Sequence, residues 1–360
     1  MIELKGVTKQ YLYGARILGA TDMIIKDGEI VALLGDEGSG RTTFIKVASA
    51  VTDCEGEVLL DGTPVKTKTD DVAVVFDDLA VFGNRTFYYN LAYPLKIRGY
   101  EKSEIDSRVK AAAERLGITA CLYERVKKMP LIDVKRLAIA RLLIRDVKAI
   151  FIDDITSGLC QKDARALWSE VAPIILQKAK EGKTVVFSTS VREEAMSVAD
   201  RIAVMHYGEI KQIDAASRIE SAPDNVWAAQ AFDVHYHFER AELTRDGEGL
   251  KLIFGIADPV SEEERTYTLD ASCFDGMIAD GYEGKTVIVG WRCDCFAKDG
   301  DRTERVKYAL YENGAYLLYT ESGIVVSSEQ KQDTVCTLPV VEKARLYDFT
   351  NENSIHKRER

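Results

Sequence analysis

Residues 35–43 read Gly35-Asp36-Glu37-Gly38-Ser39-Gly40-Arg41-Thr42-Thr43. Glycines at this spacing, followed by a cation and two hydroxyls, are the parts of a phosphate cradle. Backbone N–H groups at a helix N-terminus meet the anion, and the glycines let the chain come close to it. The pattern G-x-x-x-x-G-K-[ST] is complete but for its lysine, which is Arg41 here. A planar guanidinium fork is not equivalent to a compact ammonium in a tight cradle. Asp36 and Glu37 add carboxylates to a loop that should hold an anion, and they oppose binding unless they point outward. Thr42 keeps a hydroxyl able to ligate Mg²⁺. The bland alternative is a strand-loop-helix turn that binds nothing.

The elements around the loop suit the first reading. The apolar run Ile30-Val31-Ala32-Leu33-Leu34 predicts a strand before it, and a helix follows from Arg41 to about Val51. Upstream, Ile2, Leu4 and Val7, then 16–18 and 23–25, alternate as strands do, with Asp27-Gly28 as a turn. Residues 56–62 read as a hairpin arm and 72–76 as a short buried strand. Residues 86–145 are largely helical by pattern, including 105–116 and 135–144. Ala149-Ile150-Phe151-Ile152 is a strand that ends in Asp153-Asp154. A helix over 162–180, a strand over 183–188, a helix over 193–199 and a hairpin over 201–213 with Gly208 at its turn complete this part. Apolar strands alternating with helices predict a parallel sheet covered on both faces. After about residue 232 the texture becomes short alternating strands separated by turns such as Asp299-Gly300-Asp301 and Asn313-Gly314, which predicts a small β domain of barrel type.

Composition sets limits on function. The chain has 360 residues, a length that suits two domains, and a net charge of −10. Nucleic-acid binding needs a basic face, and only the short tail from His356 to Arg360 is basic. No apolar run approaches the roughly 18 residues of a membrane span, and charges at Glu3 and Lys5 speak against a signal segment. The seven cysteines show no zinc-like pairing. Cys293 and Cys295 share a strand face without needing a metal, so reduced thiols are expected.

The order of parts now becomes specific: loop, strand at 72–76, helical insertion, the stretch from Arg136 to Leu143, the acid-ended strand, then strand and helix at 183–199. It resembles the nucleotide-binding subunit of ABC transporters, and more narrowly the ATPase subunit of carbohydrate importers of the maltose and glycerol-phosphate type. Glu194-Ala195-Met196, Ala199-Asp200-Arg201-Ile202 and Met205 to Ile210 match that group closely. Gly290-Trp291-Arg292-Cys293-Asp294 and Arg345-Leu346-Tyr347-Asp348 carry a looser likeness to its C-terminal domain. The resemblance implies an α/β P-loop NTPase domain over 1–232, with a helical subdomain at about 77–145. It implies an all-β, OB-like regulatory domain over 233–360.

Carried over residue by residue, the resemblance also shows loss. The implied nucleotide-binding residues are Tyr11, Gly35, Gly38, Ser39, Gly40, Arg41, Thr42, Thr43, Asp77 and Asp153, with Mg²⁺ at Thr42 and Asp153 if ATP binds. Tyr11 stands where the family stacks an aromatic on adenine, with Tyr13 a competitor. Asp77 replaces a glutamine and can only accept where the amide also donates. Met129-Pro130-Leu131-Ile132-Asp133 replaces the signature Leu-Ser-Gly-Gly-Gln. The serine hydroxyl is gone, Pro130 has no N–H, bulk replaces glycine, and Asp133 adds negative charge. Asp154 replaces the catalytic glutamate and is one CH₂ shorter, enough to misplace a base that works at about 3 Å. Ser157 is kept, Cys160 replaces an aspartate, and Ser190 replaces the switch histidine. Drift could explain any one change, but so many altered together in a preserved frame point to a pseudo-ATPase.

The expected role is therefore a degenerate subunit of an ABC importer, peripheral at the cytoplasmic face of the plasma membrane. Its implied partners are two membrane permeases, a second intact ABC ATPase subunit and, indirectly, an external solute-binding protein, with no nucleic acid. A permease-coupling groove is expected between Asp77 and Tyr93, among Phe82, Phe87, Tyr88, Tyr89 and Tyr93, some of which must be core. Alternatives are a slow homodimeric ATPase, with Arg41 and Asp154 on reduced duty, and a non-catalytic regulatory scaffold.

Overall fold

The computed structural model describes residues 1–11, 16–65, 67, 69–232, 237–246, 249–257, 264–275, 277–291, 296–312, 315–320, 325–328, 334–339 and 344–356. Tyr13, Arg292-Cys293-Asp294, Cys295, Asn313-Gly314 and the last four residues of the basic tail lie outside them. The chain divides into two units, Met1–Ser217 and Arg218–Arg360.

The first unit opens with strands β1 (Ile2–Gln10) and β2 (Arg16–Ile25), then β3 (Ile30–Leu34), and helix α1 (Arg41–Ala48) follows the loop. Next come β4 (Glu55–Leu60), β5 (Thr63–Pro64) and β6 (Val72–Val75), then helices α2 (Phe87–Lys96), α3 (Lys102–Arg115) and α4 (Leu131–Leu143). Strand β7 (Ala149–Asp153), α5 (Gln161–Lys180), β8 (Thr184–Thr189), α6 (Arg192–Val198), β9 (Arg201–His206) and β10 (Glu209–Asp214) complete it, and α7 (Ala216–Ser221) runs across the division at Ser217. Helix α1 stops at Ala48, short of Val51, where Ala50 takes a left-handed φ of 54° and ends the periodicity.

Every residue of β3, β7 and β8 is buried. Strands apolar on both faces cannot meet water on either, so they assemble centrally in a parallel sheet beneath helices. The six-stranded order is β10-β9-β3-β8-β7-β6, with β6 to β9 and β3 parallel to their neighbours and β10 antiparallel at one edge. A second sheet, β2-β1-β4-β5, covers one side. Phe44 of α1, Phe151 of β7 and Val186 of β8 close the core between them. Loops leaving the C-terminal ends of parallel strands gather along one edge, where ligands bind in such sheets. The 35–43 loop and Asp153-Asp154 both lie there, after β3 and at the end of β7.

The second unit holds α8 (Val226–Phe232) and strands β11 (His237–Asp246), β12 (Gly249–Ala257), β13 (Glu264–Asp270), β14 (Lys285–Trp291), β15 (Phe296–Glu312), β16 (Ala315–Thr320), β17 (Val325–Ser328), β18 (Thr334–Pro339) and β19 (Arg345–Asp348). Two antiparallel sheets form, ordered β13-β12-β11-β14-β19 and β17-β16-β15-β18. Helix α8 packs Val226 and Ala229 on Tyr347, so this stretch joins the second unit ahead of the change in texture near 232. The Asp299-Gly300-Asp301 turn is not formed. Lys298 and Arg302 both oppose Thr337, and the residues between them are absorbed as a bulge in a continuous β15.

Candidate functional site

The loop is shaped by contacts that only glycine permits. Gly40 caps α1 at φ 97°, and Gly38 sits at φ 81°. A Cβ on Gly35 would lie 2.4 Å from the Met205 carbonyl oxygen, inside van der Waals contact. The β9–β10 turn braces the loop from beside it: Gly208 N–H donates to the Ser39 carbonyl at 2.9 Å, and Gly19 N–H donates to the Gly208 carbonyl at 2.8 Å. Ser39, Arg41 and Thr43 are buried, while Thr42 is exposed. Asp36 and Glu37 are exposed as well, so their charge points into water. Tyr11 is 40% exposed, and the Lys9 ammonium lies 5.2 Å from its ring centre.

Arg41 crosses the site to the acidic end of β7. Its Nη2 donates to Asp154 Oδ2 at 3.2 Å, with the arginine side chain 9% exposed and the aspartate 21%. Asp154 holds a left-handed φ of 43°. Burial pushes its carboxyl above the usual range; Arg41 pulls it back, and Asp153 and Asp77 push it further up. Asp153 is fully buried, and its Oδ1 accepts from Ser188 Oγ at 2.6 Å. That same Ser188 oxygen accepts the Asp154 N–H at 3.0 Å, which locks the two acids against β8.

Asp77 is tied up as well. Ser157 Oγ donates to it, and Lys135 Nζ lies 3.5 Å from the same oxygen. Lys135 is 1% exposed, inside α4. Burial pulls its ammonium below the usual range, while Asp77 and Asp154 hold it up. The positions of the loop cation, the base and the Asp77 loop are thus joined in one charge network within the chain.

The signature positions form the first turn of α4. Pro130 stands at its N-cap with no side-chain cap bond. Leu131 is 44% exposed, Met129 and Ile132 half-buried. Asp133 lies in the first turn, where a carboxylate occupies the helix's positive end. It accepts from Arg136 at 2.8 Å, and Arg136 also grips Glu170 with two bonds of 2.8 and 2.6 Å. Ser190 and Cys160 are both exposed.

Sequence reasoning gave no site role to Lys135, Arg141 and Glu194, although Arg141 and Glu194 lie in stretches that carry the family resemblance. Arg141 Nη1 donates to the carbonyls of Leu79 at 3.2 Å and Ala80 at 2.8 Å. Those two residues have φ of 57° and 42°, so Arg141 holds a strained turn just after Asp77. Glu194 is buried and accepts from Thr189 Oγ1 at 2.6 Å; burial pushes its carboxyl up. The available signal was a charged side chain within an apolar stretch, as Lys135 and Arg141 are within α4. Of the aromatics, Phe87 is core at 0% exposure, and the Tyr88 hydroxyl donates to Asp106. Phe82 and Tyr93 are 43% and 36% exposed, with ring centres 5.0 Å apart.

The cradle keeps features that fit a nucleoside phosphate with Mg²⁺. Ser39 Oγ, Arg41 Nη1 and Asp153 Oδ2 are buried without a hydrogen-bond partner. Buried polar atoms left unpaired are costly, so an orphaned donor in the loop and an orphaned carboxylate oxygen at the strand end suit an anion and a metal-bound water. Loop N–H groups and Arg41 Nη1 can hold phosphate oxygens, and Thr42 and Asp153 can hold the metal. Bound there, the metal would neutralise phosphate charge. Among the described residues no cluster of His, Cys, Asp and Glu forms a separate metal site, and no helix is long and apolar enough to cross a membrane.

Comparison with known proteins agrees with this geometry. The ABC transporter family matches residues 18–157. The chain is 31% identical over 265 residues to the sn-glycerol-3-phosphate import ATP-binding protein UgpC of Burkholderia thailandensis, covering 72% of this chain and 73% of that one. It is 33% identical over 232 residues to the UgpC protein of Burkholderia lata, covering 63% of each. Among solved structures, the dimeric ATP-binding cassette MJ0796 bound to ADP and Pi superposes with a TM-score of 0.54 at 24% identity, over 60% of this chain and 98% of that one. The cbiO1 subunit from Clostridium perfringens gives 0.54 at 22%, over 61% and 90%. These two likenesses show the fold. The chain belongs to the ABC transporter family. Within that family it is an ATP-binding subunit of the importer type.

Proposed function

We propose that this chain is a degenerate nucleotide-binding subunit of a carbohydrate importer, coupling to two membrane permeases at the cytoplasmic face of the membrane and pairing with a second, intact ATPase subunit. One observation carries the reading: the Arg41–Asp154 ion pair. The residue that should meet the terminal phosphates and the residue that should activate water are spent on each other. Asp77 is likewise spent on Ser157 and Lys135. The frame survives while the loop cation and the base are engaged with each other, which suits a subunit whose work is structural and regulatory. The exposed pair Phe82 and Tyr93 offers the permease an apolar contact, and the second unit serves as the OB-like regulatory domain. The naming of the UgpC relatives for sn-glycerol-3-phosphate import supports a sugar or sugar-phosphate cargo. An external solute-binding protein would deliver that cargo.

A second reading, a slow homodimeric ATPase, draws support from the exposed Thr42 and the unpaired Asp153 Oδ2, which leave a metal site open. Copurification separates the two. The chain is tagged in its native host and isolated in mild detergent. Two permease-like proteins with a second ATPase bearing intact motifs are expected. Permeases with this chain alone would favour the homodimer, and no membrane partner would overturn the importer reading.

A further inference from the structure

Arg41 has one arm taken and one arm free. Nη2 is held by Asp154 at 3.2 Å, and Nη1 is buried without a partner. A cation at this place in the loop meets the last phosphates of a nucleotide. A diphosphate can be held by the loop N–H groups and the free arm, and it leaves the ion pair intact. A triphosphate brings a further phosphate to the arm that Asp154 occupies. Asp154 and the neighbouring Asp77 then face it, with Arg41 and the buried Lys135 beside them. Like charges at this range, partly shielded from water, oppose each other strongly.

We propose that Asp154 sets which nucleotide the cradle accepts: by holding Arg41 it admits a nucleoside diphosphate and opposes the terminal phosphate of a triphosphate. This rests on the reading of residues 35–43 as a nucleotide cradle. A subunit with this preference retains diphosphate in place and resists its exchange for triphosphate.

Calorimetric titration of the full chain with Mg-ADP and with Mg-ATP tests the proposal, in parallel with an Asp154→Asn variant. Asparagine tolerates the left-handed backbone at this position at least as well as aspartate, so the exchange removes charge without strain. The unaltered chain is expected to bind Mg-ADP more tightly than Mg-ATP. Asp154→Asn is expected to tighten Mg-ATP by roughly ten- to a hundredfold, the range of a charged hydrogen bond, and to move Mg-ADP far less. Glu37→Gln removes one charge at an exposed place on the loop, and screening should make its effect small and equal for both ligands. Tighter binding of Mg-ATP than Mg-ADP by the unaltered chain would overturn the proposal. So would an equal shift of both ligands in Asp154→Asn, or no nucleotide bound by either form. None of these outcomes touches the importer reading, which stands or falls on the partners that copurify.

Discussion

Replacing Phe151 with alanine is expected to destabilise the chain by about 3–5 kcal/mol, the usual cost of deleting a fully buried aromatic ring. Phe151 is 0% exposed at the middle of β7, paired in register with Val74 of β6 and Val186 of β8. Its ring belongs to the cluster that joins α1 to the sheet, so the vacated space borders rigid elements and collapses poorly. Domains are stable by only about 5–15 kcal/mol, so a loss of this size is a large share of the whole. The same strand ends in Asp153, and loosening it moves the acidic pair away from the loop. Urea unfolding followed by circular dichroism checks this, with Phe151→Leu as the milder comparison. A Phe151→Ala midpoint equal to that of the unaltered chain would mean that β7 is not central.

The second unit is expected to weaken in mild acid through one histidine. His356 Nε2 accepts the Leu346 N–H at 3.0 Å, which requires a neutral ring. Burial lowers its pKa from 6.5 to about 4, and Arg345 adds to the effect. The unfolded chain therefore takes up the proton more readily than the folded unit. The associated stability is complete above about pH 6.5 and is lost as pH falls toward 4, by on the order of 3 kcal/mol. Trp291, fully buried in the same unit, offers a fluorescence signal for unfolding. Urea titrations at pH 7 and pH 4.5 should show a marked drop for the unaltered chain and a much smaller one for His356→Leu. Equal drops in both would show that His356 does not carry the effect.

What was legible in the sequence follows from how local each constraint is. The cradle could be read because its glycines are fixed by backbone conformation and close approach, as at Gly35 and Gly40. Strands β3, β7 and β8 could be read because burial on both faces demands unbroken apolar runs. The Arg41–Asp154 pair joins residues far apart in the chain, and no spacing rule announces it. Lys135 and Arg141 were hidden for a similar reason. A lysine or arginine on a helix is ordinarily a solvated side chain, and only the packing of α4 against the Asp77 loop buries Lys135 and half-buries Arg141. At 299–301 the local turn signal lost to the pairing of β15 with β18 on both sides of it. Phe87 was indistinguishable from its exposed neighbours because a run of aromatics carries no record of which ring faces inward.

The most direct measurement is the turnover of Mg-ATP by the purified full chain beside its Asp153→Asn variant. With the loop cation and the base engaged with each other, both are expected to give the same background rate. Turnover by the unaltered chain on the order of 1 s⁻¹ or faster, as working enzymes show, and abolished by Asp153→Asn, would contradict the account and return the site to active catalysis.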